Sequence, residues 1–154
     1  MQHAGIKFPP PLINVAFLLL GWGLEFLLPF YRFSQNAIMF LRGTASIFIL
    51  FGIGIIVFSS SKFMKAKTPV APWEPTTALV KTGPYVFSRN PIYLSYSIIH
   101  IGIALAFANV WMLFSIIPVV ATLRVYAIAR EEKYLEEKFG EEYRTYKKHV
   151  RRWL

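Results

Sequence analysis

The chain has no cysteine among its 154 residues. That excludes disulfides, thiol nucleophiles and metal sites built on thiolates. Histidine is scarce too: His3, His100 and His149 lie far apart and offer no helical metal-binding spacing. Charge is thin, at 16 % of residues against 55 % hydrophobic and 17 % aromatic, with a mean hydropathy of +0.45. A soluble domain of this length cannot bury so much apolar surface. Acids are the scarcer sign, 8 against 17 Lys and Arg, for a net charge of +9. The basic excess sits mostly in a middle loop and the C-terminal tail, which suits anionic lipid headgroups. Nucleic acid is not an expected partner, because the tail interleaves its cations with six glutamates and makes a poor phosphate-tracking stripe. Nothing calls for an obligatory protein partner.

What is present is apolar and comes in long runs. Residues 1–11 are short, polar to basic and proline-rich, and no small-residue cleavage pattern follows, so no removed signal peptide is expected. Residues 12–30 are apolar apart from Glu25, long enough for a hydrocarbon core of ~30 Å at ~1.5 Å per residue. Pro29 and a polar segment opening with Tyr31 end that run. A second run covers 38–58, where Gly43, Gly52, Gly54, Ala45 and Ser46 permit close helix approach. Residues 59–90 form a long connection with Lys62, Lys65, Lys67, Lys81 and Arg89 against the single acid Glu74. Its Pro69, Pro72, Pro75 and Pro84 forbid continuous helix, and so long a loop is usually functional. Runs 91–108 and 110–127, with Asn109 as the turn, form a hairpin near the short end for spanning. In 128–154, Leu135, Phe139, Tyr143, Tyr146, Val150 and Trp153 recur at helical spacing, and Gly140 is a candidate break.

The expected fold is therefore all-α: one domain over 1–154, an integral membrane bundle of about four transmembrane helices with a C-terminal amphipathic helix. The distribution of Lys and Arg puts both termini and the 59–90 loop in the cytosol.

One stretch, 81–93, runs from polar turn residues straight into an apolar helix. Gly83 and Pro84 mark a turn, followed by Tyr85 and Val86. Asn90 and Pro91 are a helix-start signal, with Asn as N-cap and Pro at the first helical position. The hairpin returns Arg130, Glu131 and Glu132 to the face that holds Tyr85, Arg89, Asn90 and Tyr93. Free N–H groups at the helix start favour electron-rich ligand atoms. Carboxylates can hold an ammonium or a ribose diol, and aromatic faces can stack a base or meet a sulfonium for ~0.5–2 kcal/mol. The plain alternatives are interfacial anchoring for the aromatics and arginines, and a solvated helix face for the glutamates. A lipid-binding assembly protein and a transporter-like half-unit are the rival classes. The second needs midplane polar groups, and only Glu25 and His100 offer themselves. For His100 an interhelical hydrogen bond is the favoured reading.

The segment Gly83-Pro84-Tyr85 through Arg89-Asn90-Pro91-Ile92-Tyr93-Leu94-Ser95, a hairpin, then Glu131-Glu132 resembles the signature of membrane-embedded methyltransferases. These are the isoprenylcysteine carboxyl methyltransferase and phospholipid methyltransferase group. The ending from Phe139-Gly140-Glu141 to Arg151-Arg152-Trp153 is similar to the tail of prokaryotic members. The resemblance covers 69–154; the first two runs match only as generic hydrophobic helices. Where the family usually has Arg-His-Pro, this chain has Arg89-Asn90-Pro91, and Ser95 stands in place of a glycine. Asn90 cannot act as a base near neutral pH.

The resemblance implies methyl transfer from S-adenosylmethionine, leaving S-adenosylhomocysteine, to a lipid-like acceptor such as an isoprenylcysteine carboxylate. Alternatives are an ethanolamine-type phospholipid amine or no enzymatic role. It implies that Gly83, Pro84, Tyr85, Val86, Arg89, Asn90, Pro91 and Tyr93 line the cofactor pocket. Glu131 and Glu132 would bind amino or ribose hydroxyl groups or position the acceptor, and Arg89 or Arg130 would neutralise a carboxylate. Arg89, Glu131 and Glu132 are the candidate catalytic residues, with no metal. The implied location is a prokaryotic inner membrane, with membrane lipids and a hydrophobic acceptor as partners.

Overall fold

A computed structural model describes residues 4–30 and 32–154. His3 and Tyr31, both named above, lie outside the described residues. Seven α-helices follow in order: α1 Pro10–Leu27, α2 Gln35–Lys65, α3 Pro91–Ala106, α4 Val110–Phe114, α5 Ile116–Thr122, α6 Ala129–Phe139 and α7 Glu141–His149. A 3₁₀ turn, Gly83–Val86, precedes α3, and a π-helical segment, Leu123–Ile128, joins α5 to α6. The described residues contain no strand, so the fold is all-α. Three stretches are long and apolar enough to cross a membrane: Pro10–Leu27, Gln35–Lys65 and the run Val110–Phe139. The remaining apolar helix, α3, is shorter, with 16 residues.

Local chemistry explains where the boundaries differ from the expected runs. α1 starts inside the triproline, because Pro10 and Pro11 occupy first-turn positions whose N–H groups would be unpaired anyway. It stops before Leu28, which leaves the helical region at φ −136° and ψ 71°, as the proline that follows disfavours helical backbone there. α2 continues past 58 to Lys65, since no proline interrupts it before Pro69 and Lys62 and Lys65 complement its C-terminal dipole. The connecting loop therefore begins at 66 rather than 59. At 31 residues α2 is about 46 Å long, well beyond a ~30 Å hydrocarbon core. The returning arm of the hairpin is not a uniform helix. Pro118 has no N–H for the Phe114 carbonyl, and the helix breaks at Ser115. Asn109 does form the turn, its side chain accepting from Met112 N at 2.8 Å.

Small residues set the packing, though not all those expected. A Cβ on Gly21 would lie 2.7 Å from Met112 backbone, so α1 and α4 meet main chain to main chain. A Cβ on Gly52 would lie 2.5 Å from Ile99 Cγ1 and 3.1 Å from the Ser95 carbonyl. Gly102 fills the matching place on α3 against Phe48 and Ile49. Gly43 and Gly54 face open space. His100 is buried and makes the interhelical link, Nε2 lying 3.1 Å from Met112 O and 3.0 Å from Ser115 Oγ. Only 17 % of the apolar stretch of α1 and 11 % of that of α2 is buried within the chain. Their outward faces, including Leu19, Phe26, Ile47 and Leu50, suit lipid tails.

The two ends of the bundle differ in chemistry. At one end Trp111 Nε1 donates to Leu28 O at 2.7 Å, and Phe30 packs edge-on against Trp111 and Phe114. At the other end the start of α1, the end of α2, the start of α3 and the first turn of α6 come together, and the polar chain gathers over them. Gly140, at φ 53° and ψ −123°, turns α6 into α7 through a conformation that side-chain-bearing residues rarely adopt. The stripe expected on the tail packs inward: Tyr143 and Tyr146 are buried, and Leu135 and Trp153 pack against the core. Tyr134, outside that stripe, is buried deeper than most of it and accepts from Thr76 N at 3.1 Å. Residues preceding α1 strap back over the same end. Lys7 and Phe8 N–H donate to Tyr126 Oη at 3.1 and 2.8 Å, and Arg130 Nη1 donates to Gly5 O at 3.3 Å.

Candidate active site

A cavity of about 280 Å³ opens at this polar end. Ligand pockets typically hold ~300–1,000 Å³, so it stands at the lower edge of that range. Five parts of the chain supply its walls. Pro10 and Pro11 come from α1, Phe63 from the protruding end of α2, Trp73 and its neighbours from the loop, and Tyr85, Arg89 to Tyr93 and Tyr96 from the turn and α3. Glu131 enters from α6 and is the one acid among the lining residues; Arg89 is the one cation.

Tyr93 and Glu131 form the central polar contact: Tyr93 Oη donates to Glu131 Oε2 at 2.8 Å. They are 38 positions apart in sequence, and the hairpin joins them. Tyr85 is buried, packs its ring 5.4 Å from Phe63, and has its carbonyl held by Tyr146 Oη at 2.6 Å. Burial and the nearby Glu131 carboxylate push the Tyr85 hydroxyl well above the ordinary phenol range, so it stays protonated and can donate.

Arg89 is nine-tenths buried and heavily committed. Its Nη2 lies 3.2 Å from Glu132 Oε1 and its Nη1 donates to Tyr143 Oη at 3.3 Å. Its Nε is buried with no partner. Glu132 turns away from the cavity. Arg152 grips it in two-pronged fashion, Nε to Oε1 at 3.0 Å and Nη2 to Oε2 at 2.6 Å. The carboxylate thus lies between two guanidinium groups, at 6 % exposure.

Asn90 stands at the N-cap position of α3, but its side chain does not cap the helix. Its Nδ2 donates to Arg152 O at 3.0 Å. Ser88 Oγ donates to the same carbonyl at 3.2 Å, and Arg89 N–H donates to Arg151 O at 2.9 Å. The chain end therefore lies along the 88–90 segment like an added strand. Val86 is exposed, and neither it, Gly83, Pro84 nor Glu132 lines the cavity. Gly83 has φ +66° and lies against the Lys62 side chain, which gives the turn its shape. Tyr85, Arg89, Asn90, Pro91, Tyr93 and Glu131 do line it. Arg130 stacks on Tyr126, with 4.8 Å to the ring centroid, and stays outside. Phe63, Trp73, Tyr96 and the α1 prolines are wall residues that sequence spacing did not single out. Only the protrusion of α2 and the N-terminal strap bring them in.

Several features match the groups of S-adenosylmethionine. Arg89, the one cation of the lining, can meet a carboxylate. Glu131 can meet an ammonium or a ribose diol, and the faces of Tyr85, Tyr96 and Trp73 can meet an adenine or a sulfonium. Among the described residues no cluster of His, Asp or Glu could hold a metal ion.

No solved structure matches this chain. A Haemophilus influenzae protein described only as uncharacterized is 44 % identical over 63 residues, which is 41 % of this chain and all of that protein. A family model, phospholipid methyltransferase, matches residues 41–142. That range is more than half of the chain and contains the whole turn, hairpin and paired glutamates, and the chain belongs to the phospholipid methyltransferase family.

Proposed function

We propose that this protein transfers a methyl group from S-adenosylmethionine to a lipid-like acceptor drawn from the bilayer. The observation that carries the reading is the Tyr93–Glu131 pair inside a partly aromatic cavity at the polar end of an apolar bundle. Bound S-adenosylmethionine supplies an activated methyl on a sulfonium, so the protein has little bond-making chemistry to do itself. Alignment can contribute up to ~7–11 kcal/mol of barrier lowering. Arg89, the one cation of the cavity lining, would hold the cofactor carboxylate. Glu131 binds ammonium or hydroxyl groups, while Glu132 serves by holding Arg89.

For the acceptor, geometry favours an amine over a carboxylate of the isoprenylcysteine type. A carboxylate acceptor needs a cation of its own, and Arg89, the one cation of the lining, is taken by the cofactor in this reading. An ammonium headgroup instead finds Glu131, whose Oε1 and Oε2 can receive its proton before the amine nitrogen attacks. The family match to phospholipid methyltransferases supports the same choice. In this reading the protein sits in a prokaryotic inner membrane, with both termini and the cavity facing the cytosol. Its partners are membrane lipids and the hydrophobic acceptor; no nucleic acid or obligatory protein partner takes part.

Isothermal titration of the detergent-solubilised protein with S-adenosylhomocysteine tests the cofactor assignment, and saturable one-to-one binding is expected. Lipid extraction after incubation with methyl-labelled cofactor then separates the acceptors. Base-stable label in the headgroup supports the amine, and base-labile methyl ester supports the carboxylate. A folded sample that neither binds the homocysteine product nor labels lipid overturns the enzymatic reading.

A further inference from the structure

We infer that Arg152 is a positioning residue and that Arg151 and Arg152 together are a working part of the site. This rests on the methyltransferase reading for its ligand, but the geometry is independent of it. Residues 143–154 lie beyond the region matched by the family model. Yet this end makes the contacts that hold the Arg89 turn in place.

The contacts are of two kinds. The first is a charge relay in space: Arg152 engages both oxygens of Glu132, and Glu132 Oε1 engages Arg89 Nη2. With Glu132 at 6 % exposure, neither guanidinium can be removed without leaving a buried carboxylate short of positive charge. The second is a main-chain seam. Arg151 O accepts from Arg89 N–H, and Arg152 O accepts from both Ser88 Oγ and Asn90 Nδ2. Arg89, Asn90 and Pro91 all line the cavity, whereas Arg151 and Arg152 do not touch it.

The seam also accounts for the asparagine at position 90. Its amide nitrogen serves the tail carbonyl, so the side chain there locks the turn to the chain end. Arg152 thus acts through Glu132 and Arg89 and never meets the ligand. Lysine is a poor substitute, because the two-pronged grip needs the planar guanidinium fork.

Two readouts test the clamp. In the first, affinity for S-adenosylhomocysteine is measured by titration for Arg152→Gln, Arg152→Lys and the exposed-pair control Arg144→Gln. The expected result is a loss of about tenfold for Arg152→Gln, a smaller loss for Arg152→Lys, and wild-type affinity for the control. In the second, the natural lack of cysteine is used. Ile92→Cys, on the cavity wall, is labelled with a soluble maleimide with and without Arg152→Gln. Faster labelling, measured well below both melting transitions because Arg152→Gln also destabilises the buried Glu132, is expected when the clamp is cut, and Arg152→Lys should restore part of the protection.

Should Arg152→Gln fail to fold, Ser88→Ala takes its place, since it removes one of the three seam bonds and leaves every charge paired, and a smaller change in the same direction is expected. Wild-type labelling in the clamp variant overturns the inference whether or not any cofactor binds. Faster labelling with undiminished affinity also overturns it, by showing that the clamp does not serve the ligand. If the wild type binds no S-adenosylhomocysteine, the proposed function falls, and the labelling arm still decides the clamp.

Discussion

Glu131 receives a hydrogen bond from Tyr93 inside the cavity, while Glu132, one residue on, is held outside it by Arg89 and Arg152. Successive helical residues point about 100° apart, so neighbours on α6 address different surroundings. The two positions should therefore respond differently to substitution. Glu132→Ala leaves two guanidinium groups without their shared carboxylate, and a loss of about 3 kcal/mol in unfolding free energy is expected. Glu131→Gln removes a charge but keeps an acceptor for Tyr93, so stability should change by less than about 1 kcal/mol. Its affinity for S-adenosylhomocysteine should nevertheless drop about tenfold. Thermal unfolding in detergent beside calorimetric titration checks both halves. The opposite pattern, with Glu131 governing stability and Glu132 governing binding, would show that the helix is rotated from the orientation described.

At the scale of elements, close approach is concentrated at a few glycines. Gly21→Ala places a methyl against Met112 backbone, which cannot swing aside as a side chain could. Pushing α1 from α4 should cost about 1–3 kcal/mol. Gly54→Ala meets nothing within 4 Å and should be neutral to about 1 kcal/mol stabilising. Melting temperatures of the two variants, measured in one detergent, make the comparison. Sequence spacing pointed to Gly43, Gly52 and Gly54 together, and only Gly52 proves to be a contact. A glycine on an apolar helix records that close approach is possible, not which face receives it. The π segment and the break before Pro118 are of the same nature. Expected as one run, 110–127 is broken, and the cause that the run's hydropathy does not show is the missing N–H of Pro118. The π turn accompanies the packing of Leu123, Ala127 and Ile128 into the core while Tyr126 holds the N-terminal strap.

For the whole molecule, the testable property is sidedness. The cavity end collects the start of α1, the end of α2, the start of α3 and the first turn of α6, so loop and tail share a side. Single cysteines at Lys65 and Lys148, both exposed, should react with an impermeant maleimide only in inverted membrane vesicles. A cysteine at Gln35, exposed at the far end, should react in intact cells. Labelling of 65 and 148 from opposite sides would break the bundle topology, and labelling of both from outside would reverse the proposed orientation.

The apolar runs, the proline and glycine boundaries and the turn into α3 were legible from residues alone. Each depends on properties carried within a few positions: transfer into hydrocarbon, a missing N–H, a backbone conformation. The pairing of 83–93 with 130–132 was also legible, because a hairpin of fixed length must return its second arm to its starting face. Six of the positions marked this way line the cavity. Helix rotation and long-range docking decided the rest. They chose Glu131 over Glu132 for the interior, carried Phe63 to the wall on an overlong α2, and brought Pro10 and Pro11 back from the other end of the chain. They also laid Arg151 and Arg152 along Ser88–Asn90, where tail carbonyls accept from Ser88, Arg89 and Asn90 across more than 60 positions that local spacing does not connect. Hydrophobicity alone could place this chain in a membrane. Which carboxylate faces the cavity was settled by how the helices lie against one another.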